Sequence, residues 1–526
     1  MSARAAEPAR RSDGSPRYSR RTALRTLGAA AATATTAGGV AGCAAGTGTG
    51  GVPAAPWQAA ETSLDPYFPG HGAGGFLVNH YALDLAYAQG AARVAGTATI
   101  RVLPYEALSV LSLDLAAGMT VLSVRADGAE ASFSRQGDKL HIRPRSVLPS
   151  GRMAQLEIAY SGQPVPSRIA GVGQVGWQPT GTSGADGVHA QAGAQPGAQA
   201  SAQAGADIAV LSLPVGAPTW FPCADHPSLK AAYDIAVTAP TGVRVLANGR
   251  LVDKRPQDFG TRWTYRHDGP MATYLATIVI GDLVIDTSSG PAGIQLRNAY
   301  PERLAAQARI DLGRQSQMLT VFASLFGPYP FDVYGTAVLD GVPGLTPAGP
   351  LGGAYAAQTL GLLDSSLVDG RRTQESLIAR TLAAQWFGGS VTVSKWTDIW
   401  LSTAFARYAQ WVWLEKSGGA SADAAARAAI GRLRALAQDL VLADPGAERI
   451  LDERVALRGA CFLHALRLTM GDQTFFQLLR IWCNRNQSGN AQSDDFLQLV
   501  PAVYTAQDLT PFMHGWVDAA PLPDLP

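Results

Sequence analysis

Histidine is scarce in this chain: eight among 526 residues, at 71, 80, 141, 189, 226, 267, 464 and 514, with no two four apart. A helical H-x-x-x-H pair, which puts two imidazoles on one helix face around zinc, is therefore excluded everywhere. Cysteine is scarcer still, at four, and no Cys-x-x-Cys occurs, so a thiolate metal site is not expected. No G-x-x-x-x-G-K-[ST] loop is present to cradle phosphate, and no G-x-S-x-G elbow to present a serine nucleophile. A surplus of one charge is missing too. With 42 basic and 41 acidic side chains the net charge is +1, and nothing suggests the basic stripe that nucleic-acid binding requires.

What remains is an ordinary globular composition. A hydrophobic fraction of 47% and a charged fraction of 16% predict a soluble protein of two to four domains with ample core. The charge is uneven along the chain. The first 43 residues hold seven Arg against Glu7 and Asp13, and without them 35 basic residues face 39 acidic. Within this segment Ser19-Arg-Arg-Thr-Ala-Leu-Arg25 resembles a twin-arginine export signal. The Ala/Thr/Gly-rich stretch after it is too weakly apolar for a membrane span. It ends at Val40-Ala-Gly-Cys43, which resembles a bacterial lipobox. Residues 1–43 are thus expected to be a lipoprotein signal, with Cys43 acylated after cleavage and the protein anchored at the outer face of the cytoplasmic membrane. The alternative is an Ala-rich tail with a chance cysteine. Of the other cysteines, Cys461 and Cys483 fall on successive expected helices and are either a disulfide or two buried thiols.

Residues 44–62 are rich in Gly, Ala, Thr and Pro and read as a flexible tether. From 63 to 285 the pattern is strand-like, with runs at 76–85, 97–102, 110–115, 155–160, 232–237 and 274–280 separated by turn residues. An antiparallel β-sandwich or saddle is expected there. Residues 179–206, almost without large apolar side chains, are expected to interrupt it as a surface loop. From 286 to 526 the periodicity is helical, with candidate helices at 302–326, 372–387, 396–416, 421–442, 455–469, 473–486 and 492–504. The fold class is therefore α+β and multidomain. In the 396–416 helix, Trp396, Trp400, Phe405, Tyr408 and Trp411 recur near helical spacing and are expected to be core.

Two segments carry the functional argument: Arg380-Thr-Leu-Ala-Ala-Gln-Trp-Phe-Gly388 and Trp400-Leu-Ser-Thr-Ala-Phe-Ala-Arg-Tyr408. They resemble the signature of the M1 family of zinc aminopeptidases, the gluzincins. That family reads H-E-x-x-H-Q-W-F-G and then, with eighteen residues between, a Glu within N-E-G-F-A-x-Y. The resemblance extends from Asp65 to the C-terminus. It includes Asp65-Pro-Tyr-Phe-Pro-Gly-His71, Thr219-Trp-Phe-Pro-Cys-Ala-Asp-His-Pro-Ser228, Pro270-Met-Ala-Thr-Tyr-Leu-Ala-Thr277, Gly327-Pro-Tyr-Pro-Phe331 and Arg458-Gly-Ala460. It implies that the helical half is thermolysin-like and that zinc and aminopeptidase activity belong to the ancestry.

The same resemblance places the family's two zinc-binding His on Arg380 and Ala384, its catalytic Glu on Thr381 and its third ligand on Thr403. The Glu that grips a substrate's free amine falls on Ala356, the transition-state Tyr on Ala456, and residues that help bind the amine on Leu213 and Val215. Zinc needs three N, O or S ligands and an open position for water. Ala offers no donor, Thr is a poor neutral ligand and no base at neutral pH, and a guanidinium repels a dication. No metal ligand and no catalytic residue is expected. Asp225, His226 and Lys230 lie in a segment that the resemblance makes architectural.

Arg380 has two readings: a charge paired with a carboxylate or turned to solvent, or a cation in the old cleft that, with Tyr355, meets a ligand. The sequence thus points to an exported pseudopeptidase that uses no cofactor and binds peptides or an envelope protein. An active metallo-aminopeptidase with an unconventional metal site, and a structural scaffold of the cell envelope, are the alternatives.

Overall fold

A computed structural model describes residues 65–88, 93–180 and 207–526. The export signal with Cys43, the 44–62 tether and residues 181–206 of the expected loop lie outside them. Pro179 and Thr180, also assigned to that loop, instead end a buried strand, Gly173–Pro179, and its continuation.

The N-terminal half is built on an eight-stranded sheet. Its order is Arg250–Gln257, Gly260–Ala272, Lys230–Ala239, Phe76–Ala88, Arg93–Pro104, Ala154–Gly162, Met119–Ala126 and Ala129–Glu130. Side chains alternate across a strand, so one apolar face can be buried while the other meets water. The strand Phe76–Ala88 shows this, with Tyr81, Leu83 and Leu85 buried and Asp84 exposed. One pairing departs from the antiparallel expectation: Phe76–Ala88 runs parallel to Lys230–Ala239, with His80 opposite Ala232. A five-stranded sheet and a three-stranded sheet, Leu111–Asp114, Ser132–Gln136 and Lys139–Arg143, complete this half.

The change to helix at 286 is later than the periodicity indicated. Position 286 falls within the strand Val284–Ser289, which opens a six-stranded mixed sheet running to Asp364. Its strands Thr336–Leu339 and Leu360–Asp364 are buried along their whole length. Such strands show no alternation and do not stand out in a sequence.

Helices then dominate: α1 Ala305–Asp311, α2 Gln315–Phe326, α3 Glu375–Ala383, α4 Trp400–Lys416, α5 Ala422–Arg434, α6 Glu453–Met470, α7 Asp472–Arg485, α8 Ser493–Val503 and α9 Thr510–Val517. The expected 302–326 helix is two, broken at Leu312–Arg314, and the expected 421–442 helix stops at Arg434. Ser421 caps α5 by accepting from the Ala424 N–H at 3.1 Å, and Asp452 caps α6 by accepting from the Arg454 N–H at 2.9 Å. All five aromatics of the 396–411 stripe are buried, as expected of core. Cys461 and Cys483 are buried free thiols, so the disulfide alternative is set aside; burial pushes the Cys461 thiol up to about 12. Among the described residues no helix is long and apolar enough to cross a membrane.

Candidate functional site

Helix α3 begins with Glu375, whose acid suits the positive end of a helix, and closes with Arg380 in its last turn, where a cation is favoured. Arg380 and Ala384, four residues apart, lie on one face of this segment. Helix α4 crosses it and presents Thr403 to the same space. The strand Ala354–Ala357 contributes Ala356, and the first turn of α6 contributes Ala456. All six positions that the resemblance marks as degenerate line one cavity of about 420 Å³, together with Tyr355 and Leu213. Val215 does not line it; it is buried nearby in the chain. Residues up to 100 positions apart are thus brought to one cavity.

The chemistry of the lining is different. Thr381 donates its hydroxyl to the Leu377 carbonyl at 3.0 Å, and Thr403 donates to the Ile399 carbonyl at 3.3 Å. Each side chain is turned back on its own helix, as Ser and Thr in helix interiors commonly are. Ala356, Ala384 and Ala456 are methyl groups. The Tyr355 hydroxyl is committed to the Tyr274 carbonyl at 2.5 Å, so Tyr355 forms wall and offers no free hydroxyl proton. Burial raises its ionisation far above the ordinary phenol range.

Arg380 is aimed into the cavity. One Nη2–H donates to the Leu351 carbonyl at 3.3 Å, itself part of the lining, and no carboxylate among the described residues lies within ion-pair distance. The pairing with a nearby carboxylate that the first reading expects is not found among the described residues, and the group is half-buried, not solvated. Burial pulls the guanidinium down to about 9; Arg407 adds to the pull and Glu453 opposes it.

Three charged lining residues were not singled out from the sequence: Arg407, Asp452 and Glu453. Arg407 occupies the unspecified position of the F-A-x-Y segment, one helical turn beyond Thr403, and that spacing was the available signal. Its Nη1 donates to Gln410 at 3.0 Å, its Nη2 lies 3.9 Å from Glu453, and its buried Nε finds no partner among the described residues. Glu453 is taken more closely by Arg432, at 2.7 Å. Both Asp452 oxygens accept from Arg454.

This lining does not fit a zinc ion. Arg380, Ala384 and Thr403 supply no ligand set, and among the described residues no three His, Cys, Asp or Glu side chains converge where a metal could sit. His464, the one histidine in the helical half near α4, is outside the cavity, between the Tyr408 hydroxyl at 3.2 Å and Asp423 at 3.3 Å. Asp225, His226 and Lys230 do not line the cavity either. Lys230 donates to the carbonyls of Gly389, Ser390 and Gly489 at 3.0 to 3.2 Å, tying the N-terminal sheet to the turns after α3 and α7.

Comparison with known proteins agrees with the geometry. The model of the peptidase family M1 domain matches residues 351–516, and that of the peptidase M1 N-terminal domain matches 213–275. A probable M1 family aminopeptidase 1 of Encephalitozoon cuniculi is 25% identical over 338 residues, covering 59% of this chain and 38% of the relative. A probable aminopeptidase 1 of Sulfurisphaera tokodaii is 24% identical over 428 residues, covering 76% and 48%. The chain therefore spans less than half the length of these curated relatives. The M1 zinc metallopeptidase of Deinococcus radiodurans superposes with a TM-score of 0.75 at 29% identity, covering 88% of this chain and 98% of that one. A mutant of that protein has been crystallised with a Tyr-Ser-Ala substrate. Signature spacing, fold, family models and relatives converge on one assignment: the chain is an M1 family aminopeptidase-like protein with the gluzincin fold.

Proposed function

We propose that this chain is a pseudopeptidase: an exported, lipid-anchored protein that binds peptide or protein ligands in the former substrate cleft without cutting them. One observation carries the reading. Six positions that would hold zinc, base, amine anchor and transition-state hydroxyl surround a single cavity, and none of them bears the group its role demands. Peptide hydrolysis by this fold depends on a Lewis-acidic ion and the water it activates. Without them the cavity keeps its capacity to enclose a chain and has no means to attack it. The peptide-bound Deinococcus relative supports peptides as the ligand class. Export and anchoring rest on Ser19–Arg25 and Cys43 alone.

The test is incubation of the purified mature protein with a mixture of short peptides, followed by mass analysis of bound and free fractions. Retained peptides of unchanged mass support the proposal; peptides shortened by one N-terminal residue at a rate proportional to protein contradict it. For the anchor, Cys43→Ser is expected to move the protein from the detergent phase to the aqueous phase, and unchanged partitioning removes that part of the reading.

A further inference from the structure

The ancestral cleft recognises a positive end, the free amine of its substrate, through acidic side chains; this cavity carries the opposite polarity. We infer that Arg380 and Arg407 form an anion site that takes the carboxylate of a peptide ligand. This rests on the proposed role of the cavity as a peptide-binding cleft, and it adds which end of the ligand the cleft grips.

The lining contains two guanidiniums, Arg380 and Arg407, and two carboxylates, Asp452 and Glu453. Both carboxylates are committed to guanidiniums outside the lining: Asp452 to Arg454 through both oxygens, and Glu453 to Arg432 at 2.7 Å. Glu453 reaches Arg407 only at 3.9 Å, and Arg380 has no carboxylate within ion-pair distance among the described residues. Two positive groups therefore share the cavity with one carbonyl contact, one amide contact, one long ion pair to a half-exposed Glu453 and a buried, unpartnered Nε between them. Enclosure makes an uncompensated charge costly, and a bound anion relieves that cost at both groups together.

The remaining walls suit the rest of such a ligand. Leu213, Tyr274, Ile399 and Leu451 are apolar, and a volume of about 420 Å³ is in the range of small-ligand pockets. A guanidinium presents paired donors that match the two oxygens of a carboxylate, which a point charge cannot do. Ala356 stands where the amine anchor would be, so the cavity offers nothing comparable to a ligand's N-terminus. The carboxylate can come from a peptide C-terminus or from an Asp or Glu side chain.

Titration calorimetry on the mature protein with three probes separates these cases: N-acetyl-Ala-Ala-Ala with a free carboxylate, its C-terminal amide, and N-acetyl-Ala-Asp-Ala amide. The free acid is expected to bind at least about tenfold more tightly than its amide, the scale of one charge-assisted bond. Tight binding of the Asp peptide also supports the site and identifies a side-chain source. Equal binding of acid and amide, or no binding of any probe, overturns the inference. Arg380→Ala and Arg407→Gln are each expected to abolish the acid–amide difference while Arg380→Lys keeps part of it; a difference that survives both losses also overturns it. Mass analysis of unblocked Ala-Ala-Ala in parallel tests the underlying reading. Trimming of that peptide means the pseudopeptidase reading has failed, whereas intact peptide with no carboxylate preference means that only this inference has.

Discussion

The Thr381 hydroxyl donates to the Leu377 carbonyl one turn back on α3, at 3.0 Å, from the position where the resemblance would place the catalytic base. A β-carbon added at Gly361 would stand 2.8 Å from Thr381 Cγ2, so the strand Leu360–Asp364 meets this side chain through a glycine. Thr381→Glu alone is expected to yield no hydrolysis, because no metal ligand is restored, and to lower stability by about 1 kcal/mol through loss of the hydroxyl bond to Leu377. Denaturant unfolding and an aminoacyl-substrate assay check both halves.

Arg380, Ala384 and Thr403 still line one cavity. The triple variant Arg380→His, Ala384→His, Thr403→Glu restores two imidazoles one turn apart and a carboxylate from α4. It is expected to take up about one zinc per chain. Metal analysis after dialysis checks this; failure of a folded triple variant to hold zinc would mean that the helices no longer sit at ligating distance.

Gly459 explains why a glycine belongs in the Arg458-Gly-Ala460 segment. A β-carbon there would stand 2.4 Å from Ala404 Cβ, so α6 can approach α4 only without one. Gly459→Ala is expected to cost about 1–3 kcal/mol and to disturb the cavity, which both helices line. The change in unfolding midpoint measures it.

The neighbouring Arg458 has a different task. Its buried guanidinium donates to the carbonyls of Leu440, Gly515, Trp516, Ala519, Ala520 and Pro521, holding the C-terminal segment against α6. Arg458→Met leaves these acceptors without donors. A loss of roughly 3–5 kcal/mol is expected, with earlier proteolysis of the C-terminal residues.

Much of this was legible in the sequence, for reasons that differ along the chain. The N-terminal strands were visible because one face is wet and the residues alternate. The mixed sheet from Val284 to Asp364 was not, because strands such as Thr336–Leu339 are buried on both sides. The site was legible through spacing: a four-residue step on α3 and a fixed interval to α4 place Arg380, Ala384 and Thr403 together whatever their chemistry. Asp452 and Glu453 reach the cavity only through the packing of α6 on α4, which no local pattern encodes. Whether Arg380 would be paired was likewise undetermined, since that depends on carboxylates distant in the chain.

Acid stability has a definite sign. Burial lowers the His267 imidazole to about 4, with the Lys230 ammonium adding to the shift. The folded pKa is thus below the unfolded value near 6.5. Below about 6.5 the unfolded chain binds the proton and the folded chain does not, so stability falls as pH drops from about 6.5 towards 4. The loss attributable to this one group is on the order of 3 kcal/mol. His267→Gln is expected to flatten that part of the stability profile, measured by urea unfolding across the same range.

The most direct test of the whole account is the zinc content of the purified mature protein after exposure to excess zinc and dialysis, read beside hydrolysis of aminoacyl substrates. Well under about 0.1 zinc per chain and no turnover are expected. One zinc per chain, with hydrolysis that a chelator removes and zinc restores, would contradict it.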